Sequence, residues 1–258
     1  MRSRCLFGWV VLGLLCLGSP VVPASLGGGV AVVELFTSEG CSSCPPADKL
    51  FSTLVKKQQE NVFLLGFHVD YWDYLGWTDE NSDRQYTRRQ RAYGRAFNLK
   101  SVYTPQIVVN GKSHMVGSKK SAVLGAISDQ LAKPAKFRLT LRLTQEPGKK
   151  DGFFTVRYKV YPFRAGMRLN IAMVERSIRK KIRGGENSGL ELRHNNVVRQ
   201  FVQVPVSKPT GWAKIKVPEK WRKKRLSLIG YLQDKESFEI LSADRVNQSA
   251  LKRRLRSL

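Results

Sequence analysis

The chain has 258 residues, 42% apolar and 25% charged, the composition of a folded protein with a sizeable core and not of a disordered or low-complexity chain. It carries 45 Lys and Arg against 20 Asp and Glu, a formal charge of +25, which directs attention to anionic partners. Beyond the first two dozen residues no apolar run is long enough to span a bilayer, which excludes a chain of membrane-spanning helices.

Arg2 and Arg4 precede an apolar run over residues 5–18, and Val22-Pro23-Ala24 follows as a small-residue cleavage site. The run is too short to span a membrane, so residues 1–24 read as a signal peptide cleaved near Ala24. The expectation is an exported bacterial protein, periplasmic or secreted, with no transmembrane segment after cleavage. A lipoprotein reading through Cys16 is the weaker one, because Leu15 before it is not small. Cleavage removes Cys5 and Cys16 and leaves Cys41 and Cys44. One pair of cysteines does not staple a scaffold. The pair is a redox centre, half of a metal site, or a short structural disulfide.

Two domains are expected, 25–134 and 135–258. The first holds 13 Lys and Arg against 10 Asp and Glu, and the second holds 30 against 10. The basic excess therefore belongs to the C-terminal half. In an exported protein it suits an anionic envelope surface, such as phospholipid head groups, cell-surface polymers or acidic proteins, and not nucleic acid. A solvated basic surface with no specific partner accounts for the same charge.

A strand is expected over residues 30–36. The loop Thr37-Ser38-Glu39-Gly40 leads to Cys41-Ser42-Ser43-Cys44-Pro45-Pro46. Apolar positions 47, 50, 51, 54 and 55 recur at helical spacing, and the prolines place the start of regular helix at Pro46. Two cysteines three apart, between a strand and a helix, form a thiol–disulfide geometry. The helix is expected to aim its N-terminal amides at the sulfurs and favour thiolate.

A second strand is expected over residues 61–70, then an aromatic loop over 71–77 and a polar helix over 79–97. The strand–helix–strand order implies a right-handed parallel crossover. Tyr103-Thr104-Pro105 opens a further strand, Asn110-Gly111 reads as a hairpin turn, and a return strand runs through 114–116. A last helix spans 119–132 and ends at Pro134. From residue 136 the period changes to two. Phe137, Leu139, Leu141 and Leu143 alternate with Arg138, Thr140, Arg142 and Thr144, and similar runs follow to about residue 241. Turn signals at Pro147-Gly148, Asp151-Gly152, Gly184-Gly185 and Pro209 separate six or seven strands, the pattern of a small antiparallel sandwich. The cluster from Arg176 to Arg183, around Gly184-Gly185-Glu186-Asn187, reads as a solvated hairpin loop, with anion binding as the sharper alternative. Residues 250–258 form a basic tail.

The order β-α-β-α-β-β-α is that of a thioredoxin fold, so the expected fold class is a thioredoxin-like α/β domain followed by an all-β sandwich-like domain. The segments Phe36 to Asp48, His68-Val69-Asp70-Tyr71-Trp72-Asp73 and Tyr103-Thr104-Pro105-Gln106 resemble a bacterial family of exported thioredoxin-like proteins filed as a domain of unknown function. The resemblance is strong over about residues 30–132 and is expected to extend into the C-terminal half. It implies a redox centre in which Cys41 is the exposed nucleophile and Cys44 resolves the mixed disulfide. It also implies that Pro105 is cis, packs on the cysteines and presents the backbone of Thr104 to an extended substrate.

Ser42 and Ser43 supply hydroxyls and amides that lower a thiol pKa, and Glu39 lies beside the loop and can modulate the thiolate. His68 and Asp70 end the second strand, at the carboxyl edge where sites lie in such sheets; a structural role suits either residue as well. Tyr71 and Trp72 supply either an apolar wall for substrate or core. His114 and His194 read as structural. The leading reading is an exported thiol–disulfide oxidoreductase acting on a protein or small-molecule thiol or disulfide, with no cofactor and no resident metal. Its rivals are a copper- or zinc-handling protein using Cys41, Cys44 and His68, and a redox-inert envelope-binding module.

Overall fold

The computed structural model describes residues 27–144, 153–221, 224–246, 249 and 251. The expected signal peptide, the turns at Pro147-Gly148 and Asp151-Gly152, and the basic tail apart from Leu251 lie outside the described residues.

Strand β1 (Ala31–Thr37), helix α1 (Pro45–Lys57), strand β2 (Val62–His68), helix α2 (Arg84–Ala96), strands β3 (Gln106–Val109) and β4 (Ser113–Val116) and helix α3 (Lys120–Leu131) follow in that order. β1 and β2 are buried throughout, which is why they read as continuous apolar runs. They pair in parallel, and β3 joins the other edge of β1 antiparallel. α1 begins at Pro45 and not at Pro46. α2 begins at Arg84 and not at residue 79, because the Asp83 side chain caps it by accepting from the Gln85 N–H at 2.7 Å. Of the three residues between β3 and β4, Asn110 and Gly111 have positive φ. Gly111 is also required by contact, since a Cβ there would lie 2.0 Å from the Phe238 carbonyl oxygen.

The remaining strands are β5 (Arg138–Thr144), β6 (Phe153–Tyr161), β7 (Met167–Lys181), β8 (Glu191–Val206), β9 (Thr210–Lys216), β10 (Leu226–Asp234) and β11 (Ile240–Arg245). The expected fold class, a thioredoxin-like α/β domain followed by a separate all-β sandwich, is not what forms. The protein is mostly β, and its first sheet does not stop at residue 134. Strands β11-β10-β7-β8-β2-β1-β3-β4 make one mixed eight-stranded sheet, and only β5-β6-β9 form a second.

The physical reason lies in which segments alternate. β5, β6 and β9 alternate buried and exposed positions, as a half-solvated strand does. β10 is buried at every position, and β7 nearly so from Met167 to Glu175. Such strands need cover on both faces. Leu169, Ile171 and Met173 of β7 pack on the three-stranded sheet. Ala172 and Val174, on the opposite face, join Phe36, Phe67 and Tyr93 under α2. α1 and α3 cover Val33, Leu35 and Ile107 on the side away from α2.

The seam between old and new strands is narrow. Gly66 of β2 pairs in parallel with Val197 of β8, and a Cβ on Gly66 would lie 3.3 Å from the Asn195 carbonyl oxygen. Asn196 donates its amide to the Leu64 carbonyl at 2.9 Å. The edge of β2 is thereby closed against outside strands. A second tie crosses the interior. Arg89 of α2 donates to both carboxylate oxygens of Glu34 on β1, at 2.8 and 2.9 Å, and Tyr231 of β10 donates to Glu34 at 2.6 Å. Among the described residues no helix is long and apolar enough to cross a membrane.

Candidate functional site

Cys41 and Cys44 are joined in a disulfide at the carboxyl end of β1. Cys44 is the N-cap of α1, with Pro45 and Pro46 in the first two helical positions. Neither proline has an N–H. The first helical amides, those of Ala47 and Asp48, both donate to the Cys44 carbonyl, at 2.9 and 3.1 Å. The expected ring of free helix amides around the sulfurs is therefore absent at this N-terminus. Hydroxyls take its place. Thr104 donates to Cys41 Sγ at 3.3 Å and accepts from the Trp72 indole N–H at 2.8 Å. Ser43 Oγ lies 3.4 Å from both Cys41 Sγ and the Thr104 carbonyl oxygen; its single proton serves one at a time. The Thr104–Pro105 peptide is cis.

Both sulfur-bearing residues are fully buried, while Ser42 and Ser43 are exposed. The resemblance implied an exposed Cys41; the oxidised pair is instead covered. Part of the cover is the tip of the β7–β8 hairpin, residues 182–190, which sequence reading left in solvent. Asn187, 2% exposed, donates its amide to the carbonyls of Glu39 and Cys41 at 2.8 and 3.0 Å. Glu186 accepts from the Ser42 N–H at 3.2 Å. Gly184 and Gly185 let the tip lie against the aromatic loop: a Cβ on Gly184 would sit 2.5 Å from the Gly76 carbonyl oxygen, and one on Gly185 3.1 Å from Trp77.

Behind the cysteine loop lies a buried charged cluster. His68 Nδ1 meets Asp79 Oδ2 at 2.5 Å, and Asp79 also accepts from the Glu39 N–H at 3.0 Å. The Glu39 carboxylate accepts from Trp77 and Asn81, at 2.8 and 3.0 Å. Burial, then the nearby Asp79 charge, pushes the Glu39 carboxyl above its usual range. Burial opposes ionisation of Asp79 too, but the His68 charge and hydrogen bond, with the backbone N–H groups of Glu39 and Asn81, outweigh it and hold Asp79 well below the ordinary carboxylate value. His194, on β8, stacks edge-on against His68 with ring centroids 4.6 Å apart. Its two nitrogens stand 3.7 Å from Glu39 and from Asp48, and neither makes a hydrogen bond.

Of the residues singled out from sequence, the structure groups Cys41, Cys44, Ser42, Ser43, Trp72, Thr104 and Pro105 at the disulfide, with Glu39 and His68 behind it. Asp70 does not join them. It pairs with the Thr87 hydroxyl of α2 at 2.5 Å. The Tyr71 hydroxyl is buried without a hydrogen-bond partner, and burial pushes its pKa up. Sequence reading missed Asn187, Glu186, Trp77, Asp79, Asn81 and His194, whose distance along the chain hid them. The Asn in Gly184-Gly185-Glu186-Asn187 was the one local signal, a small polar residue at a glycine turn. Among the described residues no group of three or more His, Cys, Asp and Glu is disposed to hold a metal ion.

The cluster sets a pH dependence of stability. Burial disfavours the His194 imidazolium, but Asp48 first, then Asp79 and Glu39, outweigh it and raise its pKa above 6.5. The native state then holds this proton more tightly than the unfolded chain does. The resulting stability is complete below about pH 6.5 and is lost as pH rises through the folded value. Urea midpoints of the wild type should fall as pH is raised above neutrality, and His194→Gln should flatten that slope. An equal slope in the variant would show that another group titrates.

Residues 32–233 match the family described as "Protein of unknown function (DUF1223)". Among solved structures, the chain is similar to protein AGR_C_4864 from Agrobacterium tumefaciens, with 26% identity, a TM-score of 0.63, and coverage of 84% of this chain and 94% of that one. It is also similar in fold to HBP35 of Porphyromonas gingivalis, at 16% identity and a TM-score of 0.55, covering 86% of this chain and 76% of that one. No curated protein matches. With well over half of its length inside the family's match, the chain belongs to DUF1223, a family of unknown function.

Proposed function

We propose that this protein carries out thiol–disulfide exchange through Cys41 and Cys44 on a thiol or disulfide substrate. The observation that carries the reading is a hydroxyl donor set, among the described residues, on one sulfur only. Thr104, itself polarised by Trp72, is set on Cys41 Sγ, which marks Cys41 as the sulfur whose thiolate is stabilised.

Starting from the oxidised pair, a substrate thiolate attacks Cys41 Sγ. The Cys41–Cys44 bond breaks, Cys44 leaves as thiolate, and a mixed disulfide forms on Cys41. A second substrate thiolate attacks the substrate sulfur of that bond and releases Cys41 as thiolate. The substrate dithiol loses two electrons and two protons; the pair gains the electrons, and the protons go to the two cysteine thiolates or to solvent. The reverse sequence reduces a substrate disulfide. Either direction requires the covered sulfurs to be reached, and the hairpin tip, bonded to the backbone of the cysteine loop, is one part of the surroundings that could move to expose them.

The test is a glutathione redox titration of the protein, read by alkylation and mass shift. A potential above about −270 mV is expected for an exchanging pair, and one below about −300 mV would identify a structural disulfide and overturn the reading. Thr104→Val should raise the Cys41 thiol pKa and slow exchange at neutral pH by about tenfold, the worth of one hydrogen bond to a charged group. Cys41→Ser should abolish exchange.

A further inference from the structure

The outer face of the three-stranded sheet has no counterpart in the chemistry above. Its inner face is core: Leu139, Leu141, Phe154, Val156, Ala213 and Ile215 pack on the large sheet. The outward residues alternate with these. Strand register sets them in rows: Arg138 beside Tyr161; Thr140, Lys159 and Thr210; Arg142, Arg157 and Trp212; Thr144, Thr155 and Lys214; Phe153 beside Lys216. Six cations and three aromatic rings share this face, and β5, β6 and β9 contain no Asp or Glu.

Two features show that the face is not an ordinary solvated one. Arg142 lies directly opposite Arg157, and like charges facing each other across strands are destabilising. Tyr161 and Trp212 are 63% and 60% exposed, and Phe153 38%, so large rings stand in water among the charges. Lys214 sits 5.8 Å from the Trp212 ring and Lys216 5.5 Å from the Phe153 ring. At about 3.4 Å per residue the rows span roughly 27 Å along the strands. That is an elongated face, with a half-open concavity of about 550 Å³ lined by Arg138, Arg142, Arg157, Lys159 and Tyr161.

We propose that this face docks the protein on an anionic phospholipid surface. Charge complementarity selects an anionic partner and relieves the repulsion between Arg142 and Arg157. The rings select a partner with an apolar layer beneath its charge, because Trp and Tyr settle at the boundary between head groups and acyl chains. A soluble polyanion would satisfy the cations and leave the rings in water. The site is independent of the cysteine pair.

The experiment uses the full chain with vesicles of phosphatidylcholine, alone or mixed with phosphatidylglycerol. Sedimentation should show binding to the mixed vesicles only, weakened by salt, with a blue shift of tryptophan emission. The triple variant Arg142→Glu, Arg157→Glu, Lys214→Glu should weaken binding by a hundredfold or more, on the order expected for removing three cations at a lipid surface. Trp212→Ala should weaken it and remove the emission shift. A control triple, Lys49→Glu, Lys56→Glu, Lys57→Glu, changes exposed cations of α1 by the same net charge and should still bind. Both triples are required to keep the wild-type thermal midpoint; Trp212→Ala alone decides if one does not. No binding to mixed vesicles overturns the proposal. So does equal loss in the two triples, or retention on heparin or nucleic acid with no binding to vesicles.

Discussion

Asn187→Ala should raise the rate at which dithiothreitol reduces the Cys41–Cys44 disulfide by about tenfold to thirtyfold. The Asn187 amide makes two hydrogen bonds to the cysteine loop, to the carbonyls of Glu39 and Cys41. Each is worth about 1 kcal/mol net, so their loss makes lifting the tip easier by about 2 kcal/mol. If the sulfurs are attacked only from the open state, the observed rate follows the open population. Glu186→Ala should act more weakly, since Glu186 is exposed and contributes one bond, to the Ser42 N–H. The readout is a time course of alkylation under limiting reductant. A rate unchanged by Asn187→Ala would mean that reductant enters elsewhere and that the hairpin tip is cover without control. Global stability should fall by a similar amount, about 2 kcal/mol, because the same two hydrogen bonds are absent from the unfolded chain.

Arg89→Met should lower the unfolding free energy by about 3–5 kcal/mol, the cost of leaving a buried charge without its partner. Glu34 is fully buried in the middle of β1. Its carboxylate is held by the Arg89 guanidinium and by the hydroxyls of Tyr93 and Tyr231. The guanidinium is enclosed by the rings of Phe67, Tyr93, Phe201 and Tyr231, at 4.9–5.9 Å. Burial alone would lower the Arg89 pKa, but the Glu34 carboxylate outweighs it and raises it further. The pair joins β1, α2 and β10, and therefore residues from both ends of the chain. Glu34→Gln combined with Arg89→Met removes both charges and should recover part of the loss. Urea unfolding of the two single variants and the double variant measures this. A loss below about 1 kcal/mol in Arg89→Met would show that the tyrosine hydroxyls alone satisfy Glu34.

Several features were legible in the residues themselves. The apolar runs and helical spacings over residues 31–131 encode their own secondary structure, because burial on both faces of a strand, or on one stripe of a helix, leaves a period in the chain. The paired positive-φ turn at Asn110-Gly111 is equally local. So is the cysteine pair at the strand–helix junction.

The same local logic misled at the helix start. Pro45 and Pro46 predict a later start for α1, whereas their larger consequence is to remove the amides that would have faced the sulfurs. In the second half the period-two pattern of residues 137–144 predicts half-solvated strands throughout, which holds for β5, β6 and β9 and fails for β10. In β10, Leu226–Asp234, the adjacent apolar pairs Leu228-Ile229 and Tyr231-Leu232 break the alternation and put apolar side chains on both faces, and the cover they need comes from joining the first sheet.

By itself the sequence determined where strands, helices and the Cys41–Cys44 spacing lie, since each depends on neighbours a few residues away. Only the tertiary structure decided that β8 closes the edge of β2, that Asn187 bonds the carbonyls of Glu39 and Cys41 in the cysteine loop, and that His194 stands between Glu39 and Asp48. These contacts join residues more than a hundred positions apart. A polar residue carries no mark of a partner at that distance; it gains its role only when packing removes the water that would otherwise have served it.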